Sequence, residues 1–170
     1  MTVAPLASIP VGVVAERRKA KSAWIDHVWR PLAVLDGIPA AAPWTMLSQD
    51  EDVATFFVGT TTIDLYRSET GHYRDNLASG TPQIWLVLRP CEGEHPYELF
   101  LATADPAEGE GYTETGTDLV EPVPMPEAIR AAIEDFVAEH HVERPFFKRK
   151  RDRANPDALG RRGPAREDER

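Results

Sequence analysis

The chain has a single cysteine, Cys91, and one thiol can build neither an internal disulfide nor a thiolate metal cage. Cysteine usage of this kind is that of a cytoplasmic protein. Long apolar runs are missing as well, so no segment reads as a membrane-spanning helix, which needs roughly 18 or more such residues. Residues 1–14 are mildly apolar, lack any basic residue and are broken by Pro5 and Pro10, a pattern that argues against a secretory leader. Neither the P-loop nor the glycine-rich dinucleotide fingerprint is present. Gly109-Glu110-Gly111 lies among carboxylates, which repel phosphate.

Metal-ligand spacing is also lacking. The five histidines are His27, His72, His95, His140 and His141. No two are four apart, the separation that puts two imidazoles on one helix face. His140 and His141 are adjacent and point to different faces. Asp105, Glu108, Glu110 and Glu114 offer oxygen ligands but not in the order of a calcium loop, so they read as a solvated acidic loop. Ser68 or Ser79 with His72 and Asp75 supplies the residue types of a hydrolytic triad without the turn that exposes a nucleophile. No catalytic residue, metal or cofactor is therefore assigned.

Basic residues are scarce over most of the chain. Residues 1–143 hold 9 Lys+Arg against 23 Asp+Glu, whereas residues 144–170 hold 10 against 5. An acidic body with a basic end suits self-contact, an acidic partner or an anionic surface. The acidic body itself makes nucleic acid an unlikely partner class, and no membrane partner is expected.

What the chain does contain is a succession of β-rich segments. Ile9–Ala15, Ala23–Leu35, Trp44–Leu47, Val53–Arg67, Gln83–Leu88 and Tyr97–Ala104 are rich in β-branched and aromatic residues. Pro31 marks an edge or bent strand, since it cannot donate to a ladder, and Gly59 marks a bulge. Gln83–Leu88 and Tyr97–Ala104 form the expected hairpin. Ser68–Thr81 and Asp105–Thr117 read as polar connections, the first long enough to be functional. Pro126 starts a helix running to Glu139 or His140, with Ile129, Ile133, Phe136 and Val137 on one face. The fold class is therefore α+β: a mostly antiparallel sheet or partly closed small barrel of five to seven strands packed by one C-terminal helix. Residues 1–145 make a single domain, and residues 146–170 a flexible basic tail.

Binding is the better-supported kind of function. Tyr66, Arg67, Tyr73 and Arg74 are of the types enriched at interface hot spots, and Glu69 and Asn76 accompany them in the polar segment. A second group lies at the end of the helix: His140, His141, Arg144, Phe146, Phe147, Lys148, Arg149 and Arg151. Two adjacent phenylalanines in a basic run call for a surface that covers them.

The segments WIDHVWRPLAVL, LYRSETGHYRDNL, TADPAEGEGYTE, VEPVPMPEAI and FVAEHHVERPFFKRKRDR resemble a proteobacterial domain family of unknown function, over roughly Val11 to Gly163. Members are often labelled molybdopterin-guanine dinucleotide biosynthesis protein A and tend to be encoded beside formate dehydrogenase genes. The label implies a Rossmann-type nucleotidyltransferase, but IPVGVVAERRKA has one glycine and no phosphate loop, and the βαβα alternation is missing. What the resemblance implies is a non-catalytic accessory protein assisting maturation or assembly of a molybdenum-dependent formate dehydrogenase. Its partners would be the dehydrogenase subunits or their maturation factors. The alternative is an enzyme acting on a phosphorylated small molecule or a molybdopterin-type nucleotide through Arg67–Asn76.

Overall fold

The computed structural model describes residues 3–142. Within them, seven strands form one mixed sheet curled into a nearly closed barrel. The strands are β1 (Ala7–Lys19), β2 (His27–Asp36), β3 (Thr45–Gln49), β4 (Val53–Leu65), β5 (Gln83–Pro90), β6 (Tyr97–Thr103) and β7 (Leu119–Pro124). Their order is β2-β1-β4-β6-β5-β7, with β3 on the first half of β4. The strands pair antiparallel except for a parallel contact of Ile63 in β4 with Ala102 in β6, and an isolated parallel bridge joins Val11 to Gly37. The α+β class and the barrel are thus as the alternation of apolar residues predicts.

β1 and β4 are long enough to curve, and each carries the irregularity that lets it. Val13 lies opposite Gly59 and Val14 opposite Phe57, so Val58 is the extra residue of a bulge beside Gly59, whose φ is 152°. Pro31 falls at a second irregularity, opposite Ala15, on the strand that ends the hydrogen-bonded order. Its missing donor costs the ladder nothing there. β2 begins later than the apolar pattern predicts. Trp24 and Ile25 lie in the β1–β2 connection, and Trp24 is exposed.

The core sits inside the barrel under helix α3 (Glu127–His140). Val11, Val13, Ile63, Leu65, Ile84, Leu86 and Val123 meet Ile129, Ile133 and Phe136 in one cluster. Each of those three helix side chains contributes about 2 kcal/mol by burial. A smaller cluster of Ala15, Val58 and Leu88 is covered by Trp44, Tyr97, Leu99 and Leu119. Trp44 has φ 68°, a left-handed backbone that a bulky residue rarely adopts. Its ring stacks on His95 at 4.4 Å and meets Trp29 edge-on at 5.6 Å.

Two further helices correct the reading of the polar segments as loops. A 3-10 turn at Arg67–Glu69 leads into α1 (Thr70–Ala78). Here Thr70, Tyr73 and Asn76 are buried at intervals of three, but two of the three are polar, so no apolar stripe announces the helix. The second is α2 (Pro106–Gly111), continued by a 3-10 turn at Tyr112–Thr115. Asp105 caps it, accepting from the backbone N–H groups of Ala107 and Glu108, with Pro106 at the first position.

Candidate functional site around helix α1

Tyr66 and Arg67 end the path from β4 into α1, and the helix then places its residues in two directions. Tyr73 and Asn76 point inward. Tyr73 is 2% exposed and packs edge-on against Phe136 at 6.2 Å. Its hydroxyl accepts a hydrogen bond from the Tyr66 backbone N–H at 3.0 Å. Burial pushes the phenol up to about 12, with the charges of Asp105, Glu108 and Glu69 acting in the same direction. Asn76 is 4% exposed and bonded to Gln83 and Ala104. Both were expected on a contact surface. They instead belong to the core, because the segment is a packed helix rather than an open loop.

Arg67, His72, Arg74 and Asp75 face outward, and Glu69 is half-buried. Arg74 Nη1 lies 3.1 Å from His141 Nε2, and His141 Nδ1 lies 3.1 Å from Thr70 Oγ1. Arginine can only donate, so Nε2 accepts and the His141 proton sits on Nδ1. Thr70 Oγ1 receives that proton's bond and donates its own to the Arg67 carbonyl at 3.2 Å. The chain therefore leaves α3 tied to the first turn of α1. His140 is half-buried against Phe136, with ring centroids 4.5 Å apart, and its Nδ1 has no partner among the described residues. Arg144, Phe146, Phe147, Lys148, Arg149 and Arg151 lie outside the described residues, as does the expected tail.

On the other side of α1 is a group that spacing in the sequence did not reveal. His72 Nδ1 lies 3.0 Å from Glu69 Oε2 and 3.0 Å from Asp105 Oδ1. The three donor atoms all fall within 4.8 Å of one another. Glu69 and His72 are neighbours on one turn, but Asp105 comes from the cap of α2, more than thirty residues later. The hydrogen bond to Asp105 raises the His72 pKa, its charge and those of Glu69 and Asp75 add to the rise, and desolvation opposes it. Glu108 is an exposed residue whose carboxyl is nevertheless partly desolvated. That desolvation raises its pKa, with Asp105, Glu69 and Asp64 contributing. Desolvation likewise raises the Tyr66 phenol, helped by Asp64 and Glu108. The charged neighbours acting on these groups are all carboxylates, while a hydrogen bond from Thr103 opposes the rise at Glu108.

No curated protein and no solved structure matches the chain. No helix among the described residues is long and apolar enough to cross a membrane. One family model matches residues 10–151, which take in β1 from Pro10 onward, the other six strands, the three helices and the start of the basic run. On that match the chain belongs to the family described as Protein of unknown function (DUF3305).

Proposed function

We propose that this domain is a non-catalytic accessory protein that assists maturation or assembly of a molybdenum-dependent formate dehydrogenase by binding a protein partner or its cofactor. The observation that carries the binding role is the lock between His141 and α1 through Thr70 and Arg74. In the sequence the cation-rich residues 144–153 begin three positions after His141, and Arg67 and Arg74 are exposed. A cation-rich segment following an otherwise acidic body suits an acidic patch or an anionic group. The dehydrogenase itself comes from the resemblance and its neighbouring genes.

The second reading, an enzyme acting on a phosphorylated small molecule, needs arginines beside His72. Glu69 and Asp105 stand there instead, and carboxylates repel a phosphate. Tagged protein captured from its native host while the dehydrogenase is being made, followed by mass spectrometry, tests the proposal. Dehydrogenase subunits or their maturation factors should be recovered with the wild type and be depleted at least several-fold with Arg67→Glu/Arg74→Glu. Recovery of neither, in cells that contain the enzyme, would sink it.

A further inference from the structure

Asp105 is 5% exposed, and its carboxylate has no lysine or arginine within ion-pair distance among the described residues. The same holds for Glu69. Buried charge needs countercharge, and among the described residues the ion-pair partner of both is the single imidazole of His72. Glu108 and Asp64 add further negative charge nearby. The cluster is short of positive charge at the point where three ligand atoms converge.

We propose that Glu69, His72 and Asp105 bind one divalent transition-metal cation of the Zn²⁺ type, a site independent of the partner-binding face. Its donors are one imidazole nitrogen and two carboxylate oxygens, a set that suits Zn²⁺, Mn²⁺ or Co²⁺ better than Ca²⁺ or Mg²⁺. A metal with bonds of about 2.1 Å holds adjacent octahedral donors about 3.0 Å apart. Both Nδ1–oxygen separations are 3.0 Å. The geometry is also held before any metal arrives. Asp105 is fixed by two backbone N–H groups of α2 and by its own N–H, which donates to Thr103 Oγ1 at 3.1 Å. Glu69 and His72 ride on the first turn of a helix anchored by Tyr73 and Asn76. The His72 and Glu69 side chains are 48% and 35% exposed, which leaves an entry path and open positions for water.

Calorimetric titration of the full chain with ZnCl₂ at neutral pH tests this, paired with the visible spectrum on adding CoCl₂. One Zn²⁺ per chain is expected, with affinity weakened about ten- to hundred-fold in His72→Gln and in Glu69→Gln. Asp105→Asn keeps a capping oxygen and should weaken binding with little change in the circular dichroism spectrum. Should that variant unfold, the other two, which remove no capping hydrogen bond, decide the matter. His27→Ala and Cys91→Ser should bind as the wild type does. Absence of binding up to about 1 mM Zn²⁺ overturns the proposal. So does binding that persists undiminished in both His72→Gln and Glu69→Gln, which would mark an adventitious ion only.

Discussion

Asn76 and Gln83 exchange two hydrogen bonds: the Asn76 amide donates to the Gln83 carbonyl at 2.8 Å, and its oxygen accepts from the Gln83 N–H at 3.0 Å. One side-chain amide thus does what an adjacent strand would do, pairing both backbone groups of the first residue of β5. Its second N–H donates to the Ala104 carbonyl at 3.0 Å, joining α1 to the end of β6 as well. Asn76→Ala strands three backbone groups at once and should cost about 2–4 kcal/mol. Asn76→Asp keeps the shape but sets a carboxylate against two carbonyl oxygens and should cost at least as much. Urea denaturation checks this: the midpoint should drop while the slope stays unchanged.

Gly109 is buried in α2 against Trp85 of β5. A Cβ placed on it would lie 2.3 Å from Trp85 Cγ and 2.4 Å from Trp85 Cβ, near the base of the ring where the side chain cannot swing away. Gly109→Ala should therefore destabilise by about 1–3 kcal/mol and alter the near-ultraviolet signal of the tryptophan. Gly111, two residues on, has φ −57° and nothing within 4 Å of its notional Cβ. Gly111→Ala should be neutral or stabilise by up to about 1 kcal/mol. Thermal melts of the two variants side by side would show whether contact or backbone freedom controls this helix.

Arg89 and Asp118 join β5 to the start of β7 with two parallel bonds of 3.1 Å, and the same guanidinium lies 3.5 Å from the Phe100 ring centroid. The bond to Arg89 holds the Asp118 carboxyl below its ordinary value of 3.8. A depressed carboxylate stabilises the fold fully above its unfolded pKa, and that contribution is lost as pH falls through the lower folded value. Asp118→Asn should therefore melt below the wild type at neutral pH, and the gap should close as pH falls below 3.8. A gap unchanged across that window would show that the pair acts through packing rather than charge.

The barrel could be read because its strands alternate β-branched and aromatic residues and its turns carry Gly, Pro and Asp. Helix α3 was legible for the same reason, with Ile129, Ile133 and Phe136 on one stripe and Pro126 before it. The start of β2 was misread because Trp24 and Ile25 look like strand residues, and only the turn geometry leaves them outside. Helices α1 and α2 were missed because their buried positions, Tyr73 apart, are Thr70, Asn76 and Gly109. Those residues are inside because they hydrogen-bond or fit closely, which apolar spacing does not record. Asp105-Pro106 did signal a helix start, but the acidic glycine-containing stretch after it read as a loop.

The amino-acid order by itself marked most of the strand segments, one hairpin between them and the apolar face of α3, since these follow from burying apolar surface with a fixed period. Composition alone also placed the positive excess at the end of the chain: residues 144–170 are basic and the rest acidic. Only the tertiary structure decided which polar residues are tools of the fold and which face solvent. Tyr73 and Asn76 went inside, and His72 met Asp105 across more than thirty residues of chain. Such meetings depend on where the barrel brings α2 back to α1, a long-range arrangement that no local spacing encodes.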